Sequence, residues 1–252
     1  MKRLFFCLAV LGVILTGCSK NDDGESDNPN NSGNEQPENP NEPKLPELPA
    51  LPDPDDVCSA MDDLNFMAFC YEKFDVNKDG KVSVTEANAA KEIYTTSSKW
   101  VSVKGIERFP NIEILSLNGS SITELDLRYN LKLKSISGYS SLLTTVLLPN
   151  TLTSIEKSAF KECASLIEIH FPASLTSIGE YAFSGCSSLT EIHLPANLTS
   201  IGRSTFSGCS SLTEINLPNN LTSIGVSAFY GCSSLTEIIF FGQFNFDWRV
   251  CF

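Results

Sequence analysis

Residues 172–194 read PASLTSIGEYAFSGCSSLTEIHL, and residues 195–217 read PANLTSIGRSTFSGCSSLTEINL. Working outward, LPNTLTSIEKSAFKECASLIEIHF (148–171) precedes them and PNNLTSIGVSAFYGCSSLTEIIF (218–240) comes after. The period is 23, marked by Pro149, Pro172, Pro195 and Pro218, by Phe160, Phe183, Phe206 and Phe229, and by Cys163, Cys186, Cys209 and Cys232. Each unit holds two L-x-x-I pieces, such as Leu175/Ile178 and Leu189/Ile192, whose apolar side no single unit can bury. Stacked coils bury it, with the second piece giving a parallel strand about 4.8 Å from the next. The fold expected is an α/β solenoid of parallel strands.

Upstream the pattern loosens. Ile112-x-x-Leu115-x-Leu117, Ile122-x-x-Leu125-x-Leu127, Leu133-x-x-Ile136 and Leu143-x-x-Val146-x-Leu148 recur at steps of 10 or 11. Two steps make a coil of about 21 residues. Residues 101–148 thus read as irregular coils ahead of four regular ones at 149–240, and the solenoid is expected to begin near Ile106. Residues 148–240 resemble the BspA-like class of bacterial leucine-rich repeats, whose pattern is close to LTSIG-x-x-AF-x-x-C-x-x-L-x-x-I-x-LP. The resemblance implies a solenoid that binds proteins at a cell surface, as an antigen or as an adhesin for host matrix or other bacteria.

Before the repeats, residues 75–86 read DVNKDGKVSVTE, the pattern of a single EF-hand calcium loop. Asp75, Asn77 and Asp79 hold positions 1, 3 and 5, with Gly80 at the sharp turn. Lys81 offers its backbone carbonyl, Ser83 stands at position 9, and Glu86 at position 12 can bind with both oxygens. Phe66, Cys70 and Phe74 recur every four residues before the loop, and Ala87 to Tyr94 reads as an exiting helix. No second loop of this spacing occurs in the sequence, so apolar Val82 at position 8 must lean on something else, and the repeats are the expected support. Residues 57–100 read as a helical EF-hand cap. Extracellular modules bind calcium with Kd of about 10⁻⁴–10⁻³ M, so outside a cell the site would act as a prop and carry no signal.

The start of the chain sets the expected compartment. Lys2 and Arg3 precede the apolar run Leu4 to Leu15, and Leu15-Thr16-Gly17-Cys18 resembles a bacterial lipoprotein cleavage box. The resemblance implies removal of residues 1–17, lipidation of Cys18 and anchoring in the outer membrane. Ser19-Lys20-Asn21-Asp22-Asp23 resembles the acidic signal that exports Bacteroidetes lipoproteins to the cell surface. Residues 19–56 hold eleven Asp or Glu, two Lys, eight Pro and no aromatic residue, and so read as a disordered spacer. That spacer carries a net charge of −9 of the overall −12, which leaves residues 57–252 only mildly acidic and without a basic stripe. Nucleic acid is not an expected partner.

No nucleophile with a base, phosphate loop or Cys-x-x-Cys pair is legible, and no enzyme or small-molecule substrate is expected. The two histidines, His170 and His193, fall in one repeat column continued by Asn216, beside a column of Glu168, Glu191, Glu214 and Glu237. These seven residues form the candidate binding face; repeat copying alone would also produce both columns. The four repeat cysteines read as free buried thiols. Cys58 and Cys70 would lie about 18 Å apart on one helix, so a bridge between them requires the helix to start after Cys58. Cys251 has no obvious mate. The apolar tail 241–252, with Phe244, Phe246, Trp248, Val250 and Phe252 alternating, reads either as a strand covering the last coil or as the remnant of a shortened chain. Two other functions stay open: an accessory glycan-capture lipoprotein, which exposed aromatics on the strand face would favour, and a purely structural envelope protein.

Overall fold

The computed structural model describes residues 45–95, 99–138 and 140–240. Cys18, Cys251 and the tail 241–252 lie outside them. Residues 45–48 belong to a separate unit and have no regular secondary structure. From Pro49 onward the described chain is one unit.

Two helices come first, α1 (Leu64–Phe74) and α2 (Val84–Ala89), preceded by a 3-10 turn at Val57–Ala60. Twelve short strands succeed them among the described residues: β1 (Glu92–Tyr94), β2 (Ile114–Ser116), β3 (Glu124–Asp126), β4 (Ser135–Ser137), β5 (Thr145–Leu147), β6 (Ser154–Ile155), β7 (Glu168–His170), β8 (Ser177–Ile178), β9 (Ser200–Ile201), β10 (Glu214–Leu217), β11 (Ser223–Ile224) and β12 (Glu237–Phe240). All pairings are parallel. One ladder runs β1-β2-β4, with β6 packed beside β4, and continues as β6-β8-β9-β11. The other runs β3-β5-β7, crosses single bridges from His170 to His193 to Asn216, and ends in β10-β12. The chain is a parallel β-solenoid.

The register explains the two spacings. Ile114 pairs with Ser135 and Glu124 with Thr145, so the irregular coils are 21 residues long. Ser154 pairs with Ser177 and Ser177 with Ser200, the 23-residue coil. Inward residues Leu115, Leu125, Ile136, Val146, Ile169, Ile192 and Ile215 are all buried. Phe160, Phe183, Phe206 and Phe229 stack with ring centroids 5.4, 5.6 and 5.7 Å apart. The repeat cysteines are free and buried, and each thiol donates to a carbonyl of the preceding coil: Cys163 to Gly138, Cys186 to Phe160, Cys209 to Phe183 and Cys232 to Phe206. One coil before Cys163 the same inner position is filled by Ser140, which donates to Ile122 O, and ahead of β4 on the other ladder the Asn130 amide donates to Ile106 O and Phe109 O.

Three expectations change. First, both L-x-x-I pieces form rungs, whereas the sequence suggests a strand only for the second. Thr176, Thr199 and Thr222 each donate a backbone N–H to the threonine carbonyl one coil back, at 2.8, 2.8 and 2.7 Å, and their hydroxyls donate to the same oxygens. Second, helix α2 stops at Ala90, and Glu92–Tyr94 is strand β1, ahead of Ile106. Ile93 is fully buried there, and Lys91 O accepts from Glu113 N at 2.7 Å, so cross-coil pairing outcompetes continuation of the helix. Third, Pro49–Asp56 is not spacer. Asp53 pairs with Lys81 at 3.0 Å, Leu51 packs on the core, and the Arg108 guanidinium donates to Pro49 O.

One carboxylate fastens the helical part to the chain ahead of β2. Asp63 is 3% exposed; its Oδ1 accepts from Asn65 N and Phe66 N at the start of α1, and its Oδ2 accepts from Val101 N at 2.6 Å and Ser102 N at 3.1 Å. Burial by itself would raise its pKa, but the four N–H donors outweigh it and hold the carboxyl below its usual value. A depressed folded pKa contributes stability above the unfolded value, and that contribution is lost as pH falls through the folded one. Asp63→Ala is expected to cost about 2–4 kcal/mol at neutral pH, since four donors lose their acceptor. The deficit should shrink as wild type and variant are compared by thermal melts from pH 6 down to pH 3; a constant deficit would mean that the charge contributes nothing. Ring contacts join α1 to the segments beyond α2. Phe66 and Phe69 meet Trp100 at 5.0 Å each, Phe69 meets Tyr94 of β1 at 6.4 Å, and Phe74 meets Phe109 at 5.3 Å.

Candidate functional site

The twelve-residue loop lies between α1 and α2, with its polar side chains folded onto its own backbone. Asp75 Oδ2 accepts from Gly80 N at 3.0 Å. Asn77 Oδ1 accepts from Asp79 N at 3.0 Å, and the Asn77 amide donates to Asp79 Oδ2 at 2.9 Å. Asp79 Oδ1 in turn accepts from Lys81 N at 2.9 Å. Asp75, Asn77 and Asp79 are therefore brought together around one tight turn.

Glu86 is placed differently from a free ligand. Its Oε2 accepts from Ser83 N and the Ser83 hydroxyl, at 2.9 and 2.8 Å, and its Oε1 accepts from Val76 N and Asn77 N, at 2.9 and 3.3 Å. The Ser83 side chain answers by accepting from Glu86 N, which completes a capping box at the start of α2. These donors, Ser83 N first, hold the Glu86 carboxyl below the usual range. With Glu86 so engaged, no three His, Cys, Asp or Glu side chains among the described residues are grouped to hold a metal ion. One observation points the other way. Asp75 Oδ1 is buried and has no hydrogen-bond partner, inside a loop rich in oxygen atoms. A buried carboxylate oxygen left bare is costly, and a cation is the partner that the oxygens of Asp75, Asn77 and Asp79 would suit.

Val82 answers where the lone loop leans. It is fully buried, its N–H donates to Asp56 Oδ1 at 3.1 Å, and its carbonyl accepts from Val57 N at 2.9 Å. Asp56 Oδ1 also accepts from Cys58 N, and its Oδ2 accepts from the Tyr71 hydroxyl at 2.6 Å. The support is thus the segment just before α1, where the sequence reading expects the repeats. Asp56, Asp63 and Asn130 all escape that reading. Asp56 closes an acidic Pro-rich run, and nothing local marks it as the acceptor for Val82.

On the second ladder the outward columns are in register. Glu168, His170, Glu191, His193, Glu214, Asn216 and Glu237 are all exposed along β7, β10, β12 and the bridge between them. His170 and His193 sit on adjacent rungs, and Glu124 and Thr145 extend the Glu column through the irregular coils. Glu168 Oε1 lies 2.8 Å from His170 Nε2 on the same strand, so it is turned along its own rung.

Residues 132–247 match the family model of the BspA type leucine rich repeat region, in six copies. No curated protein matches the chain. Among solved structures, a leucine rich repeat protein of T. pallidum is 27% identical, covers 50% of this chain and 70% of its own, with a TM-score of 0.36. A leucine-rich repeat protein from Bacteroides ovatus is 22% identical over 62% of this chain and 48% of its own, with a TM-score of 0.42. A leucine rich cell surface protein from Faecalibacterium prausnitzii is 19% identical over 67% of this chain and 65% of its own, with a TM-score of 0.41. The chain spans less than two thirds of the length of the last two.

Proposed function

We propose that this chain is a lipid-anchored surface protein whose leucine-rich repeat solenoid binds another protein, a host matrix component or a neighbouring cell, with a structural calcium loop at its amino-terminal end. The observation that carries the binding role is the second ladder. Its outward side chains form straight, exposed columns across successive coils, a surface suited to an extended protein partner and poor at enclosing a small molecule. Catalysis finds no support there, because repeated columns do not bring unlike groups to a point. The columns hold Glu, Thr, His and Asn, with half-buried Asp126, Leu147 and Ile239 towards the ends of the His column, and no aromatic residue, which disfavours glycan capture.

The anchor and the partner are tested together in the native host. The protein is expected in the membrane fraction, Cys18→Ser is expected outside it, and protease added to intact cells should remove the wild-type protein. Wild-type protein should then retain extracellular-matrix proteins or whole neighbouring bacteria that a Glu191→Lys/Glu214→Lys variant releases. Equal retention by both proteins would remove the second ladder from the binding role.

For calcium, Asp75, Asn77, Asp79 and Glu86 are the side chains that would hold the ion, with Lys81 through its carbonyl and Ser83 nearby. The ion supplies only charge neutralisation that ties the loop to α1 and α2. Millimolar Ca²⁺ is expected to raise the wild-type melting temperature by a few degrees, an effect that chelator reverses. Asp75→Asn should abolish that response. Glu86→Ala should lose it too, but from a lower starting temperature because the capping box goes with it. A wild-type melt indifferent to Ca²⁺ would leave the loop as a self-bonded turn.

A further inference from the structure

Cys58 lies on the 3-10 turn Val57–Ala60, and Cys70 lies on the buried stripe of α1, four residues beyond Phe66. Both side chains are fully buried. Because α1 begins at Leu64, the chain doubles back between the two cysteines, which removes the separation a single helix would impose. The Val57–Ala60 turn packs against α1, which places the two buried thiols near enough for Cys58 to act on the Cys70 thiol. Tyr71, next to Cys70, bonds to Asp56, two residues before Cys58, so a polar contact also ties α1 to the start of the turn beside the sulfurs. Both cysteines are reduced in this structure.

We propose that Cys58 and Cys70 are a modification site, oxidised to a structural disulfide that locks the turn at Val57–Ala60 onto α1. The repeat cysteines make the contrast. They too stand one coil apart in register, but each thiol is aimed at a backbone carbonyl of the coil before it. Parallel, identically directed side chains need distortion to bridge, whereas Cys58 and Cys70 approach from two different elements.

The chemistry requires a disulfide-bearing oxidant. A thiolate of one cysteine attacks an oxidant sulfur and expels the other oxidant sulfur as a thiolate. The second cysteine then attacks the mixed disulfide and releases the remaining oxidant thiolate. The protein loses two protons and two electrons, and the oxidant ends as two thiols. Burial, then the neighbouring Cys58, pushes the Cys70 thiol far above its ordinary pKa, and with both side chains fully buried neither sulfur is open to an oxidant in the folded protein. The bond therefore forms while the α1 region is still open and is sealed in as the core closes. An oxidising compartment is the one that the anchored, exported reading supplies, but the bond itself depends only on the fold and a named oxidant.

The full chain is unfolded in urea with reductant, then refolded in oxidised glutathione, alkylated under denaturing conditions and digested. The expected product is one linked peptide pair, Cys58 with Cys70, with Cys163, Cys186, Cys209 and Cys232 all alkylated. Reduced protein that is folded before glutathione is added should form the pair at least ten-fold more slowly. The oxidised protein should melt about 5 °C above the reduced one, as expected for a short closed loop. That gap should vanish in Cys70→Ser. Full alkylation of Cys58 and Cys70 after oxidative refolding would overturn the proposal, as would a link from either of them to a repeat cysteine. Peptide mapping of the wild type decides the matter even if Cys70→Ser fails to fold, and it does so whether or not the chain binds calcium or a surface partner.

Discussion

Phe183→Ala is expected to cost about 3–5 kcal/mol, the largest loss of any single truncation in the repeats. The ring is fully buried between Phe160 at 5.4 Å and Phe206 at 5.6 Å, nearly parallel to both, and a third ring, Phe171, meets its edge at 5.6 Å. Truncation leaves a cavity beside the Phe206 ring, which Phe229 still holds from its other face, and takes from Phe160 the ring it stacks on. In a solenoid each coil is stabilised by its neighbours, so one void weakens two interfaces at once. Phe183→Leu fills most of the space and should lose far less. Urea denaturation compares the three proteins. A Phe183→Ala loss under about 1 kcal/mol would mean that the stack is ornamental and the Leu/Ile rungs carry the stability.

Gly202→Ala should be nearly as damaging, at about 3 kcal/mol, for the opposite reason. A Cβ on Gly202 would sit 2.6 Å from Glu180 N and 2.7 Å from Gly179 C, both backbone atoms of the preceding coil. A side chain could rotate away, but a backbone rung cannot without opening the parallel ladder of β8 and β9. Gly179 faces the same contact at 2.8 Å from Lys157 N, and Gly225 faces it from Arg203 N. Glu156 occupies this column in the first regular coil, directly after the 21-residue coils. Gly138 offers a control, since its Cβ would meet the Phe160 ring at 3.5 Å and Ala159 O at 3.7 Å, both ordinary contacts. Gly138→Ala is expected to change stability by less than about 0.5 kcal/mol. If the two alanine variants melt together, the close approach of neighbouring coils is not what demands glycine here.

A neighbouring column shows the same logic for backbone angle. Gly185, Gly208 and Gly231 have φ of +81°, +77° and +75°, and Glu162 holds the equivalent place at +60°. The glycine in three of four coils reports a left-handed turn, and the glutamate shows that the turn is imposed by the stack even where the residue resists it.

Much of this was written in the chain itself. A strict 23-residue period in Pro, Phe, Cys and Leu requires identical coils, because only translation along one axis places every copy in an equivalent environment. The 10- and 11-residue steps upstream likewise announce coils of 21. Among the described residues the buried, free repeat cysteines could be inferred from their column alone. The tight turn that gathers Asp75, Asn77 and Asp79 could be read residue by residue, because it is a local object.

Only the tertiary structure could decide the rest, because it depends on partners far away in sequence. Three residues, Glu92–Tyr94, are too few to declare themselves strand or helix, and it is Ile114–Ser116 that pairs them into a rung. LTSI announces its buried Leu and Ile but not a strand, until Thr176 finds Thr153 one coil back. Asp56 ends a run whose composition says spacer, yet it receives Val82, Cys58 and Tyr71. Cys58 and Cys70 are twelve apart in any conformation; whether their sulfurs meet depends on where α1 begins. Periodicity determines what repeats, while contacts across the fold determine what each unrepeated residue becomes.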